Sequence, residues 1–317
     1  MVAVDVERAR KIFFALMAAI ILAAAICAPF SKVTIDLASF RVIFGLSGVL
    51  ILVSFYCRFR KMPFVAAALE TVGFGFLITV PVLLLTYFAV AAGFPLADAR
   101  LDAMDRALGF DWLGFIRFID ARPALSSLLI DAYQSISFQL LILPIALIAF
   151  GKLQRAYALI GGYALLCVAA SAIATFYPAL GTYAYYGVTQ GSLSNINPHF
   201  ALYMIPDFEA VYYGSSHTLT LGRASGLICF PSVHAGVACL CTWAAWELKW
   251  LRYPVLLLNV AMTVAAVSHA NHYLIDIIAG QGTAALCIVV VSALFYRHQR
   301  PWWPAIVSQR SHVAPSA

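Results

Sequence analysis

Charge is what this chain has least of. Asp, Glu, Lys and Arg make up only 11% of its 317 residues, against 63% hydrophobic, and the mean hydropathy is +0.90. An ordinary soluble domain carries about 25% charged residues, so that class is excluded. Also lacking are internal repeats, low-complexity linkers and any stretch resembling a separate soluble domain. The seven cysteines are odd in number, scattered and mostly inside apolar runs, which excludes a disulfide framework. Cys239 and Cys241, two apart in one predicted helix, point to different faces. The cysteines are read as small apolar packing residues.

Long apolar runs are what is there. A membrane-crossing helix needs roughly 20 mostly apolar residues, and runs near 12–29, 41–57, 64–92, 127–150, 156–177, 232–248, 253–269 and 273–296 qualify. The expected fold is all-α, a polytopic transmembrane helical bundle of about eight spans. The run 64–92 is long enough to tilt, or to break near Pro81. The first run is too long and too poorly terminated for a cleaved signal peptide. The organisation expected is N-terminal spans over 1–93, a second membrane domain over 94–296 and a cytoplasmic tail over 297–317.

A net charge of +6 raises the question of a nucleic-acid partner, and the distribution answers it. Thirteen of the 20 basic residues sit at alternate ends of the spans: Arg8, Arg10, Lys11, Arg58, Arg60, Lys61, Lys152, Arg155, Lys249, Arg252, Arg297, Arg300 and Arg310. Positive residues mark the cytoplasmic face. Both termini are therefore expected in the cytoplasm, with 178–231 and 268–272 outside, and no nucleic-acid partner is expected. The expected location is a bacterial inner (plasma) membrane.

Between the third and fourth spans, 94–123 mixes Leu101, Trp112 and Ile116 with Asp102, Asp105, Arg106, Arg117 and Asp120. It is expected to be an amphipathic helix in the outer interface, serving as a connector or as a lid over a lipid entrance. The loop 178–228 is long and rich in tyrosine, which points to function or to an aromatic belt. In the fourth span, Asp131, Gln134, Ser135, Ser137 and Gln139 interrupt an apolar run; Asp131 lies near enough to the surface for either a site role or plain solvation.

Two short blocks carry the chemistry: Cys229-Phe230-Pro231-Ser232-Val233-His234 and Ser268-His269-Ala270-Asn271-His272-Tyr273-Leu274-Ile275-Asp276. Residues four apart share a helix face, so Asp276 can reach one imidazole nitrogen of His272 and fix its tautomer. The other nitrogen is then free as nucleophile or base, and His234 supplies the complementary acid. Pro231 and Ser232 open a helix whose free N–H groups and dipole favour an anion. His269, His272 and Asp276 raise the alternative of zinc, but zinc usually takes four ligands, or three and a water, and His269 reads as a loop residue.

Phe-Pro-Ser-Val-His at 230–234 and His-Tyr-Leu-Ile-Asp-Ile-Ile-Ala-Gly at 272–280 resemble the second and third signature motifs of the type 2 phosphatidic acid phosphatase superfamily. The branch that includes inositol phosphorylceramide synthases is the most similar, with Val233 where glycine is more usual. The resemblance covers about 100–296 loosely and 223–280 tightly. It implies that His272 attacks phosphorus to form a phosphohistidine and that Asp276 orients it. His234 would protonate the leaving oxygen and then deprotonate the acceptor. No cofactor or metal is implied, and the substrate would be a lipid phosphate, a phospholipid or a sphingolipid headgroup.

The resemblance breaks at the cations. The family's first motif is Lys, six residues, then Arg-Pro; here the span ends Phe176-Tyr177-Pro178, and the arginine six residues before the nucleophile is Ala266. Arg223 is the only Lys or Arg in 178–228, so it is expected to bind phosphate, with Ser232 and Val233 completing the substrate site. The contrasting class is a lipid binder or transporter that keeps its histidines for structure. No inverted repeat of the transporter kind is present to favour it.

Overall fold

The computed structural model describes residues 2–296. The tail 297–317, with Arg297, Arg300 and Arg310, lies outside the described residues. The fold is a nearly all-helical bundle with one short pair of strands. In order come α1 (Val2–Cys27), α2 (Arg41–Phe59), α3 (Pro63–Ala91), α4 (Asp98–Ala107), α5 (Trp112–Asp120), α6 (Pro123–Gln134) and α7 (Ile136–Ala149). Then follow α8 (Leu153–Phe176), α9 (Thr182–Tyr185), α10 (His199–Leu202), α11 (Ile205–Tyr213), α12 (Val233–Ala245), α13 (Arg252–His269) and α14 (Leu274–Phe295).

Five helices, α1, α2, α3, α8 and α14, are long and apolar enough to cross a membrane; α6 and α7, bent by 54°, make a sixth if taken as one span. The expectation of about eight counted 232–248 and 253–269 as well. There the chain forms α12, only 13 residues long, and α13, 18 residues carrying Arg252, Asn259 and His269. The break between α6 and α7 falls at Ser135, whose hydroxyl donates to the Ala132 carbonyl at 2.6 Å and competes with the backbone ladder. By contrast α3 runs unbroken through Pro81.

At the centre stands α8. Ala156, Ala158, Gly161, Gly162, Ala164 and Ala170 are buried, and such small side chains let neighbouring helices approach closely. Phe13 and Met17 of α1, Ile78 of α3, Leu240 of α12 and Val291 of α14 pack with it into one apolar core. Toward the starts of α3 and α8, the buried Glu70 carboxylate accepts from Arg10 Nε at 2.8 Å, Arg58 Nε at 2.7 Å and Arg58 Nη2 at 2.9 Å. Tyr157 also donates to it. Desolvating a lone carboxylate is expensive, and this cluster compensates it while joining α1, α2, α3 and α8.

The other end of the bundle carries the long loop. Its segment β2 (His217–Leu219) pairs in parallel with β1 (Val33–Ile35), Val33 opposite His217. The segment 94–123, expected to be one interfacial helix, is instead the pair α4 and α5. Helix α4 turns Asp98, Asp102 and Asp105 inward: all three are buried.

Candidate active site

Asp276 sits in the first turn of α14 and is fully buried. Its Oδ2 accepts the Tyr273 N–H at 2.9 Å, the helix-start bond that a carboxylate at this position is suited to make. The same oxygen lies 3.3 Å from His272 Nδ1 and 3.0 Å from Cys229 Sγ, whereas Oδ1 is buried with no partner. The four-residue spacing therefore works, but not within one helical turn. His272 precedes α14, and the chain turns at Tyr273 to bring the imidazole onto the carboxylate.

Cys229, expected to be a packing residue, touches this pair. Its Sγ lies 2.7 Å from the Asn271 carbonyl and 3.8 Å from His272 Nδ1. Burial and the neighbouring Asp276 carboxylate push the thiol well above its ordinary pKa, so it acts as a hydrogen-bond donor. Asn271 anchors the segment: its Oδ1 accepts the Tyr183 N–H at 2.9 Å, and its Nδ2 donates to the carbonyls of Leu180 and Ala201. Gly181 permits that approach, with φ of 93° and space for a Cβ only 2.3 Å from the Asn271 carbonyl oxygen.

His234 enters from α12. Ser232 is the cap of that helix, its Oγ accepting the Ala235 N–H at 3.3 Å. The Ser232 N–H donates to the Asp276 carbonyl at 3.0 Å, which ties the start of α12 to α14. Gly280 makes room for this crossing: a Cβ there would stand 2.2 Å from the Ser232 carbonyl oxygen. His234 and His272 then face each other with ring centroids 6.5 Å apart. Tyr133 stacks on His234 at 4.3 Å and 14°. Among the described residues, the N–H groups of Val233 and His234 have no partner. They are the free amides that a helix start offers an anion.

Both histidines line a cavity of about 280 Å³. Its near wall is Cys229, Val233, Ala270 and Asn271. Its far wall runs down α3 through Thr86, Leu83, Val82 and Thr79, and down α8 through Cys167 and Tyr163. Tyr133, Phe200, Tyr203, Met204, Ser225, Gly226 and Ile228 close it. Among the described residues, no Lys or Arg lines it.

The structure brings together His272, Asp276, His234 and Val233 of the expected site residues, with Ser232 behind them as a cap. It does not bring in Arg223. That guanidinium is 66% exposed and pairs at 2.8 Å with Asp207, whose buried carboxylate needs a counter-charge. Asp131 is exposed and outside the cavity. His269 is turned away, Nε2 to Ser126 Oγ at 3.1 Å and Nδ1 to Ser268 Oγ at 2.9 Å, so it does not join His272.

Four contributors were not singled out from the sequence: Cys229, Tyr133, Asp98 and Asp105. Asp105 accepts the N–H groups of Leu274 at 2.7 Å and Ile275 at 2.8 Å, holding the first turn of α14. Burial pushes its carboxyl above the ordinary range although those two amides oppose the shift. Asp98 accepts from Gly181 N–H at 2.8 Å and Tyr273 hydroxyl at 3.0 Å. The signal was present: three acids, Asp98, Asp102 and Asp105, at spacings of four and three share a helix face.

No curated protein and no solved structure matches this chain. A family model does, over residues 99–291, and by that match the chain belongs to the PAP2 superfamily, the type 2 phosphatidic acid phosphatases.

Proposed function

We propose that the chain cleaves a phosphorus–oxygen bond of a membrane lipid through a phosphohistidine on His272, at the extracytoplasmic face. Both termini would then be cytoplasmic. The observation that carries this reading is one cavity shared by two histidines, the first held on Asp276 through Nδ1 and the second 6.5 Å away. With Nδ1 occupied by Asp276, Nε2 of His272 attacks phosphorus; the P–N bond forms as the P–O bond to the leaving alcohol breaks. His234 gives that oxygen its proton and later takes one from the acceptor. The free amides of Val233 and His234, at the positive end of the α12 dipole, receive the phosphoryl oxygens.

The lining favours a phosphodiester lipid over a phosphomonoester as substrate. A phosphomonoester carries about −1.5 to −2 at pH 7, a diester only one negative charge. Amides and hydroxyls are matched to the smaller charge, since an unneutralised second charge in a buried site is costly. An inositol phosphorylceramide synthase-like transfer, onto an alcohol acceptor, fits that pattern. The contrasting reading is a non-catalytic lipid binder or transporter. Purified protein in detergent, given diester and monoester lipids with and without an alcohol acceptor, separates them. Vanadate-sensitive turnover that His272→Ala removes is expected; lipid binding without turnover would overturn the enzyme reading.

A further inference from the structure

The His272–Asp276 pair has a third neighbour of a different chemical kind. Sγ of Cys229, Nδ1 of His272 and a carboxylate oxygen of Asp276 all lie within 4.8 Å of one another, and all three residues are buried. The separations are 3.0 Å for sulfur to Oδ2, 3.3 Å for Nδ1 to Oδ2 and 3.8 Å for sulfur to Nδ1. Tetrahedral zinc, with bonds of about 2.3 Å to sulfur and about 2.0–2.2 Å to nitrogen and oxygen, needs ligand-to-ligand edges of roughly 3.3–3.6 Å. The three side chains meet that requirement with shifts of a few tenths of an ångström to about half an ångström.

Two further observations point the same way. Asp276 Oδ1 is buried and unpartnered, so the carboxylate has coordinating capacity that its hydrogen bonds do not use. The charges also close: a divalent ion, one thiolate, one carboxylate and one neutral imidazole sum to zero, so binding leaves no net charge in the buried site. Cys229 and His272 both line the cavity, which provides the entry path and a fourth ligand position for water.

We propose that Cys229, His272 and Asp276 form an inhibitory zinc site. Zinc forms a bond to sulfur as the thiol proton is released to solvent, and a bond to Nδ1 of His272. A neutral imidazole metallated at Nδ1 carries its proton on Nε2. The lone pair required for attack on phosphorus is thereby lost, and Asp276 is withdrawn from its orienting bond. No electron changes hands. The set differs from the His269-containing one weighed on the sequence, because His269 is bound to Ser126 and Ser268.

The inhibitory part rests on the proposed function; the binding part does not. The test uses the full chain in detergent micelles. Stripped protein is expected to bind one zinc per chain. With cobalt in place of zinc it should show a near-ultraviolet thiolate-to-cobalt band, which Cys229→Ser abolishes. A second ligand variant, His272→Ala, should weaken or remove the same band, which assigns it to this cluster and not to one of the other six free cysteines even if Cys229→Ser folds poorly. Lipid turnover is expected to fall at least tenfold on saturation with zinc and to return on adding EDTA. Absence of the thiolate band in the wild type, or its full retention in the variants, overturns the site, and full turnover by the zinc-loaded protein overturns its inhibitory role. Zinc binding in a protein that turns over no lipid under any condition overturns the proposed function, and the inhibitory role with it.

Discussion

Replacing Gly280 with Ala tests whether the crossing of α12 and α14 sets the histidine geometry. The added Cβ would stand 2.2 Å from the Ser232 carbonyl oxygen, 3.0 Å from its carbon and 3.2 Å from its nitrogen. All three are backbone atoms, so no side chain can swing aside. Ordinary contact begins at 3.4 Å, and 3.4 minus 2.2 requires the helices to part by about 1.2 Å. The Ser232 N–H to Asp276 carbonyl bond, now 3.0 Å, would stretch toward 4 Å and be lost. His234 rides on that end of α12, so its distance from His272 grows with it. Overpacking of this kind costs about 1–3 kcal/mol of stability, and a displacement of about 1 Å at a reacting centre can cost about 10²-fold in rate. The assay is lipid turnover per folded molecule, normalised by size exclusion and thermal unfolding. Gly282→Ala is the internal control: the same helix, with nothing within 4 Å of its added Cβ. It should keep the wild-type rate and gain up to about 1 kcal/mol. A Gly280→Ala protein within threefold of wild type would refute the reasoning, because the two histidines would then tolerate the separation.

His272→Ala should abolish turnover, since no other group is placed to form the covalent intermediate; retention of more than a few per cent in a rate assay would remove it as nucleophile. His234→Ala should cost about 10²–10⁴-fold, and less on a substrate whose leaving group needs no proton. Arg223→Ala should cost less than threefold, because its guanidinium is 66% exposed and paired with Asp207; a large loss with unchanged thermal stability would restore it to the phosphate site. Chelators should leave activity unchanged, or raise it where zinc was bound, and a loss on EDTA treatment reversed by added metal would overturn the phosphohistidine mechanism. Asp120 anchors the loop through the N–H groups of Ser194, Asn195 and Ile196, which hold its carboxyl below the ordinary range although burial opposes them. With a lowered folded pKa, that anchor is fully present above the ordinary carboxylate value of about 4 and is lost only as pH falls through the folded value. Hydrogen exchange at 194–196 should therefore be protected from pH 5 upward and unprotected at every pH in Asp120→Ala.

The sequence by itself determined the solvent and the immediate partner of His272, the proposed nucleophile. Apolar runs longer than a bilayer core demand helices whose backbone bonds close internally, so α1, α2, α3, α8 and α14 were legible from composition. The His272–Asp276 and Ser232–His234 relations are local, set by spacings of two to four residues, and local spacing survives any tertiary arrangement. The short α12, the break at Ser135 and the parallel β1–β2 pair were not legible, because each depends on what packs against it. The same holds for the site's supports. Tyr133 reaches His234 across 101 positions of sequence, and Asp105 reaches Leu274 at the start of α14 across 169. The sequence marked Arg223 for the phosphate because it was the one cation in its loop. The tertiary structure gave that charge to Asp207, since a buried carboxylate within 2.8 Å holds a guanidinium that chain proximity alone cannot direct elsewhere. It also placed the Cys229 sulfur beside His272 and Asp276, where an apolar packing residue had been expected. A cysteine's chemistry is set by its neighbours, and only the fold chooses those.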